Sequence, residues 1–230
     1  MTSWLYKKIG EYLKDAVYAA NDGAITTFAV VAGVAGASLE PLIILILGFA
    51  NLFADGISMA SGNYLGTKSE KDLYSKERSQ NERLFEEDKE IYKKRVAKFL
   101  RDKGYEERDV GGLAELITHN KKFALEFIMH EEIGLVEQVA QRPIKGALVT
   151  LVAFMIAGLV PLAPYILFAG AGNMFLYASI FTGIALFSVG AARSIYTERS
   201  WFSAGFEMLF IGGIAAVVAY GIGFAVSNIV

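Results

Sequence analysis

The sequence predicts an all-α membrane protein of five transmembrane helices, with a helical cytoplasmic domain between the second and the third. Three observations predict it. The chain is 54% hydrophobic with a mean hydropathy of +0.40, yet 20% of its residues are charged. The charges are segregated: residues 66–145 hold 17 of the 22 Lys and Arg and 17 of the 24 Asp and Glu. The remaining apolar sequence divides into five stretches near the ~20 residues that a bilayer core requires. Three regions follow: 1–65 with an amphipathic N-terminal segment and helices 1 and 2, 66–145 as the cytoplasmic domain, and 146–230 with helices 3 to 5.

The first span is expected at 16–39 and the second at 41–65, opened by Pro41 after a short turn. The third is expected at 146–168, with Pro161 and Pro164 kinking or ending it. The fourth, 172–191, follows a tight Gly170–Asn173 turn, and the fifth covers 205–228. The N-terminal MTSWLYKKIGEYLKDAVYAANDG has no small-residue cleavage site after a short apolar core, so it is expected to be mature protein. Lys7, Lys8 and Lys14, the 17 basic residues of the loop, Arg193 and Arg199 all fall on one side of this arrangement. The positive-inside rule then places the N-terminus and residues 66–145 in the cytoplasm and the C-terminus outside.

The loop has no proline or glycine between Gly66 and Gly104. It is expected to prolong the second span as a long helix, to bend, and to end at Gly104 as a cap, with Val96, Phe99 and Leu100 on one apolar face. After a turn over residues 105–112, helices are expected at Gly112–His119 and Lys122–Gln141.

Net charge is −2 and the loop sums to zero, so nothing points to nucleic acid. There is no cysteine, which removes disulfides and thiolate metal sites. With two histidines a His-rich metal site is excluded, and no phosphate loop or nucleophile elbow is present. Neither is a nucleophile–base set, so an enzyme is not expected, and no cofactor is called for.

Two aspartates carry the functional reading. Asp22 and Asp55 lie in membrane-length apolar stretches, where a carboxylate costs roughly 2.5–3.5 kcal/mol even on the lenient insertion scale. Both are expected in the cytosolic half of adjacent helices, where they could face one site. Asn51, Asp55, Met59 and Asn63 recur every four residues and share one helix face. Oxygen ligands beside a thioether suit Fe²⁺ or Mn²⁺ better than Mg²⁺. Blander readings stand beside these: Asp22 as a helix-start cap, Met59 as packing filler, Glu82, Glu86 and Glu90 as a solvated, ion-paired face. Gly62 and Gly66 form a small-residue motif that suits a helix or dimer contact. Met129 and Glu132, three apart on one helix face, offer a second metal-ligand pair.

The segments DGAITTFAVVAGVAGASL, FADGISMASGNYLGTKSEKDLY, ALEFIMHEEIGL and GLVPLAPY resemble, in order and spacing, the vacuolar iron transporter family over essentially the whole chain. The resemblance implies a homodimer of five-span protomers that exchanges Fe²⁺, often Mn²⁺, for protons and moves metal out of the cytosol. Asp22 and Met59 fall on the family's key aspartate and methionine; Met129 and Glu132 match a methionine and the glutamate of its last loop helix. A family glutamate falls at Asn51, and four further loop glutamates fall at Asn81, Leu84, Tyr92 and Arg95, none of them a carboxylate. The membrane site is therefore expected to be kept and the cytosolic metal cluster largely lost. A membrane adaptor, or a transporter of another cation, is the alternative. The expected partners are a second copy, lipid, metal ions and protons, and the compact loops suit a prokaryotic plasma membrane.

Overall fold

The structure, a computed structural model, describes residues 2–136, 142–168, 170, 172–194 and 199–229, with side chains from Tyr12 onward. The described residues form helices and connections without a strand: α1 (Thr2–Gly36), α2 (Pro41–Glu87), α3 (Lys89–Asp102), α4 (Glu107–His119), α5 (Lys121–Phe127), α6 (Pro143–Leu159), α7 (Ala163–Leu167), α8 (Met174–Arg193) and α9 (Trp201–Ser227). A π-helical turn, Ile128–Glu132, continues α5. Contacts divide the chain into an apolar unit, residues 1–64 with 144–230, and a charged unit, residues 65–143.

Four helices are long and apolar enough to cross a membrane: α1 from Tyr12, α2, α8 and α9. The chain is thus an integral membrane protein. The stretch expected as one span at 146–168 is divided. α6 has 17 residues, about 26 Å, and the chain turns at Val160–Leu162 before α7, where Pro164 occupies the first turn. Prolines lack the N–H that a continuing helix requires.

α6 nevertheless holds a central place in the apolar unit. A methyl group on Gly158 would meet Gly23 O and Thr27 Oγ1 of α1, each at 2.9 Å, and the Leu52 side chain of α2. One face of α6 (Gly146, Thr150, Phe154, Gly158) is buried, and it fits the groove between α1 and α2. Lipid tails are as apolar as leucine, so close packing of small residues, not water exclusion, drives such contacts. α1 also packs on α8 and α9. Beyond Glu207 α9 is apolar all round, and Phe210 and Val217 are more than 70% exposed on it, as suits a lipid-facing helix.

The charged unit obeys soluble rules. Tyr92, Val96 and Leu100 recur every four residues on α3 and are buried against Val110 and Ala114 of α4 and Ala124, Leu125 and Ile128. Phe99 stands edge-on to Phe127 at 5.5 Å. The bend after the long α2 falls at Asp88, whose carboxylate caps α3 by accepting from Ile91 N at 2.9 Å. Gly104 takes a positive φ of 91° just past α3, a conformation that glycine adopts without steric cost. α4 begins at Glu107 rather than at the expected Gly112; Gly111 and Gly112 lie inside it because burial of Val110 and Ala114 outweighs their low helix propensity. The helix expected at 122–141 runs from Lys121 to the π turn at 132, and its expected end at 137–141 lies outside the described residues.

Candidate functional site

Asp22 sits in the middle of the continuous α1, so its carboxylate has no helix start to cap. It is half-buried, as is Asp55 on α2. The Asp55 charge lies close enough to act on Asp22. Thr26 donates its hydroxyl to Asp22 O at 2.8 Å, a bond within α1 that leaves the carboxylate unused. Among the described residues neither aspartate has an ion-pair partner. Like charges near one another in an apolar unit are costly unless a countercharge or protons relieve them.

The α2 stripe keeps its common face. Asn51, Asp55, Met59 and Asn63 are all half-buried, and Met59 packs against the core that includes Leu52 and Phe154. The apolar unit also holds buried oxygens without a hydrogen-bond partner among the described residues: Tyr12 Oη, Asn21 Oδ1 and Thr27 Oγ1 on α1, Asn63 Oδ1 on α2 and Thr150 Oγ1 on α6. A buried unpartnered oxygen costs about 1–3 kcal/mol, so these five are polar positions that packing alone does not favour. Asp15 Oδ2 and Asn63 Oδ1 both lie beside Gly146 of α6; Asp15 escapes sequence reasoning, although its spacing of seven from Asp22 puts the two on one helix face.

The charged unit gathers the other expected positions differently. Met129 and Glu132 lie in the π turn, and what approaches them is not a second carboxylate. Arg95 Nε donates to both oxygens of Glu132, at 3.0 and 2.9 Å, and Arg95 Nη1 donates to Asn81 Oδ1 at 2.6 Å. Asn81, 3% exposed, turns its amide nitrogen to Glu77 O at 2.8 Å and Met129 Sδ at 4.0 Å. For Met129 and Glu132 to ligate a metal, Arg95 would have to leave. Tyr92 Oη donates to Ala124 O at 3.2 Å, and burial pushes its hydroxyl up to about 12. Leu84 packs on the core. Glu82 and Glu86 share Lys121, at 2.7 and 2.5 Å, and the hydrogen bond from Lys121 holds Glu82 below the usual carboxylate range. No group of three His, Cys, Asp or Glu able to hold a metal occurs among the described residues.

Known proteins are similar in sequence to this chain over most of its length. The sequence model of the VIT family matches residues 13–224. Vacuolar iron transporter 1 of Arabidopsis thaliana is 31% identical over 211 residues, 92% of this chain and 84% of the relative. Vacuolar iron transporter 1 of Eucalyptus grandis is 33% identical over 221 residues, 95% of this chain and 88% of the relative. The vacuolar iron transporter of Toxoplasma gondii is 34% identical over 222 residues, 93% of this chain and 74% of the relative.

Proposed function

The chain belongs to the VIT family, and from that premise we propose that it carries Fe²⁺ or Mn²⁺ out of the cytosol in exchange for protons. The observation that supports this reading is that the Asp55 charge lies close enough to act on Asp22, with no ion-pair partner for either among the described residues. Members of the family are transporters, and relatives named as vacuolar iron transporters support iron as cargo.

In this reading α6 and α7 together make the third of five passes, and the basic residues put the N-terminus and residues 66–145 in the cytoplasm and the C-terminus outside. The membrane is the plasma membrane of a prokaryotic cell. Asp22 and Asp55 supply carboxylate oxygens, Asn51 a carboxamide oxygen and Met59 a thioether that disfavours hard ions. Protons arriving from the far side neutralise the carboxylates and release the ion. Loss of those protons to the cytosol restores the site. Two protomers pair along α2, where a methyl group on Gly62 or Gly66 would meet nothing within 4 Å.

Reconstitution in proteoliposomes tests it. Asp22→Ala and Asp55→Ala should each abolish metal-driven proton flux, and full flux in both variants would end the proposal. The ion pair of Arg95 with Glu132 favours a second reading, a membrane adaptor or carrier of another cation whose charged unit serves only as scaffold. Proton flux that no divalent metal elicits from the wild-type chain would decide for it.

A further inference from the structure

We propose that a groove between α1, α8 and α9 holds one acyl chain of a membrane phospholipid. The cavity measures about 580 Å³, and Val217 and Tyr220 on its rim are exposed. It runs from Phe175 to Leu186 on α8 and from Leu209 to Gly221 on α9, and Phe28 of α1 completes its wall. At its inner end Gly212 admits the Leu186 side chain, and the two helices close on each other. At the other end the rings of Phe28, Phe175 and Tyr220 follow one another, with centroids 6.1 and 5.8 Å apart. None of the lining residues belongs to the metal reading above, and a bound lipid needs no particular cargo.

The wall offers hydrocarbon and few polar groups. Ser179 and Thr182 line the groove, and both hydroxyls donate within α8, to Phe175 O at 2.8 Å and Ala178 O at 2.7 Å. A water needs roughly two to four polar partners, and apolar cavities stay dry. An empty groove would forfeit dispersion contacts along its whole wall, and in a bilayer the solvent at hand is hydrocarbon. Tyr220 supplies the remaining hydroxyl of the lining, seven residues before Ser227 at the end of α9, about 10 Å. Tyrosine favours the membrane–water interface, with its ring in hydrocarbon and its hydroxyl toward the headgroups. The ester end of the lipid chain therefore belongs at Tyr220 and its methyl end at Leu186. No charged residue lines the groove, so the chain is recognised and the headgroup is not.

The dimensions choose the occupant. From Phe175 to Leu186 and from Leu209 to Gly221 the groove is about 16–18 Å long at 1.5 Å per residue. One leaflet's share of a ~30 Å hydrocarbon core is about 15 Å. Spread over its length, the volume of 580 Å³ leaves a cross-section of about 34 Å², a width of 6–7 Å. A helix with its side chains needs about 10–12 Å, so a helix of a second copy does not enter. A single hydrocarbon chain does.

Native mass spectrometry of the full chain, stripped of lipid in detergent and titrated with palmitoyl-oleoyl phosphatidylcholine, tests the assignment. Wild type should bind one lipid per protomer saturably before weaker additions follow. Gly221→Leu fills the groove from α9, where a methyl group would meet nothing within 4 Å, and Ser179→Leu fills it from α8. Each should weaken the first binding step about tenfold. Ile222→Leu, exposed outside the groove, should bind as wild type. Equal, graded additions to wild type and to both filling variants mean a surrounding lipid layer only, and the proposal falls. It falls equally if the filling variants change oligomeric mass while lipid binding is unchanged, since a second copy then covers the groove. Photolabelling of the wild-type chain needs no variant. Phosphatidylcholine with a diazirine midway along one chain, in liposomes, should label Thr182 and Ala216 of the groove in preference to Ile180 and Ile184, which are exposed outside it. Equal labelling of the two sets overturns the assignment.

Discussion

Arg95 places its guanidinium between Glu132 and Asn81, with one nitrogen on both carboxylate oxygens and another on the buried amide oxygen. The side chain thus puts a fixed positive charge beside Met129 and Glu132. Arg95→Ala leaves Asn81 Oδ1 without a donor, while Glu132, 34% exposed, regains water. The ion pair itself is worth little at that exposure, so the orphaned amide oxygen dominates. We expect a loss of about 1–3 kcal/mol, seen as a lower melting temperature of the charged unit, with metal transport unchanged.

Arg95→Glu reverses the charge at this point and sets a second carboxylate beside Glu132 and Met129. Wild-type charged unit should take up no Mn²⁺, and the variant should gain a site that calorimetry on the full chain in detergent detects. Glu132→Gln added to Arg95→Glu should remove it. Mn²⁺ bound by the wild-type chain and lost in Glu132→Gln would show that Arg95 yields to metal.

Tyr92 gives the charged unit an alkaline limit. Burial raises its hydroxyl from 10.0 in the unfolded chain to about 12 in the folded one. A folded value above the unfolded one means stability that is complete below pH 10 and lost as pH rises through about 12. Circular dichroism of the full chain should show unfolding of this unit across that window. Tyr92→Phe should remove this contribution to the pH dependence, at a cost of about 0.5–1.5 kcal/mol at neutral pH for the bond to Ala124.

Gly158 sets the distance between α6 and α1. A methyl group there would sit 2.9 Å from both the backbone oxygen of Gly23 and the hydroxyl oxygen of Thr27, closer than carbon and oxygen ordinarily approach. Gly158→Ala should destabilise the apolar unit by about 1–3 kcal/mol. Gly213→Ala, which meets nothing within 4 Å, should melt as wild type. Equal melting of the two variants would show that α6 can move aside at no cost.

Hydrophobicity and charge alone determined the all-helical membrane class, because a bilayer demands long apolar helices and leaves Asp22 and Asp55 conspicuous. The stripe from Asn51 to Asn63 was legible because helical period fixes which residues share a face. Gly104 was legible as an end to α3, since its conformation is local. The sequence could not show that α6 packs against both α1 and α2, so the close contacts of Gly146 and Gly158 and the approach of Asp15 to Gly146 were not legible in it. It could not show that α4 would run through Gly111 and Gly112, because that depends on what Val110 and Ala114 bury. Nor could it show that Arg95 reaches Glu132 across 37 residues. Periodicity reports the face a residue occupies, a property of one helix. Which atoms meet there depends on the packing of other helices, and only the tertiary structure decided that.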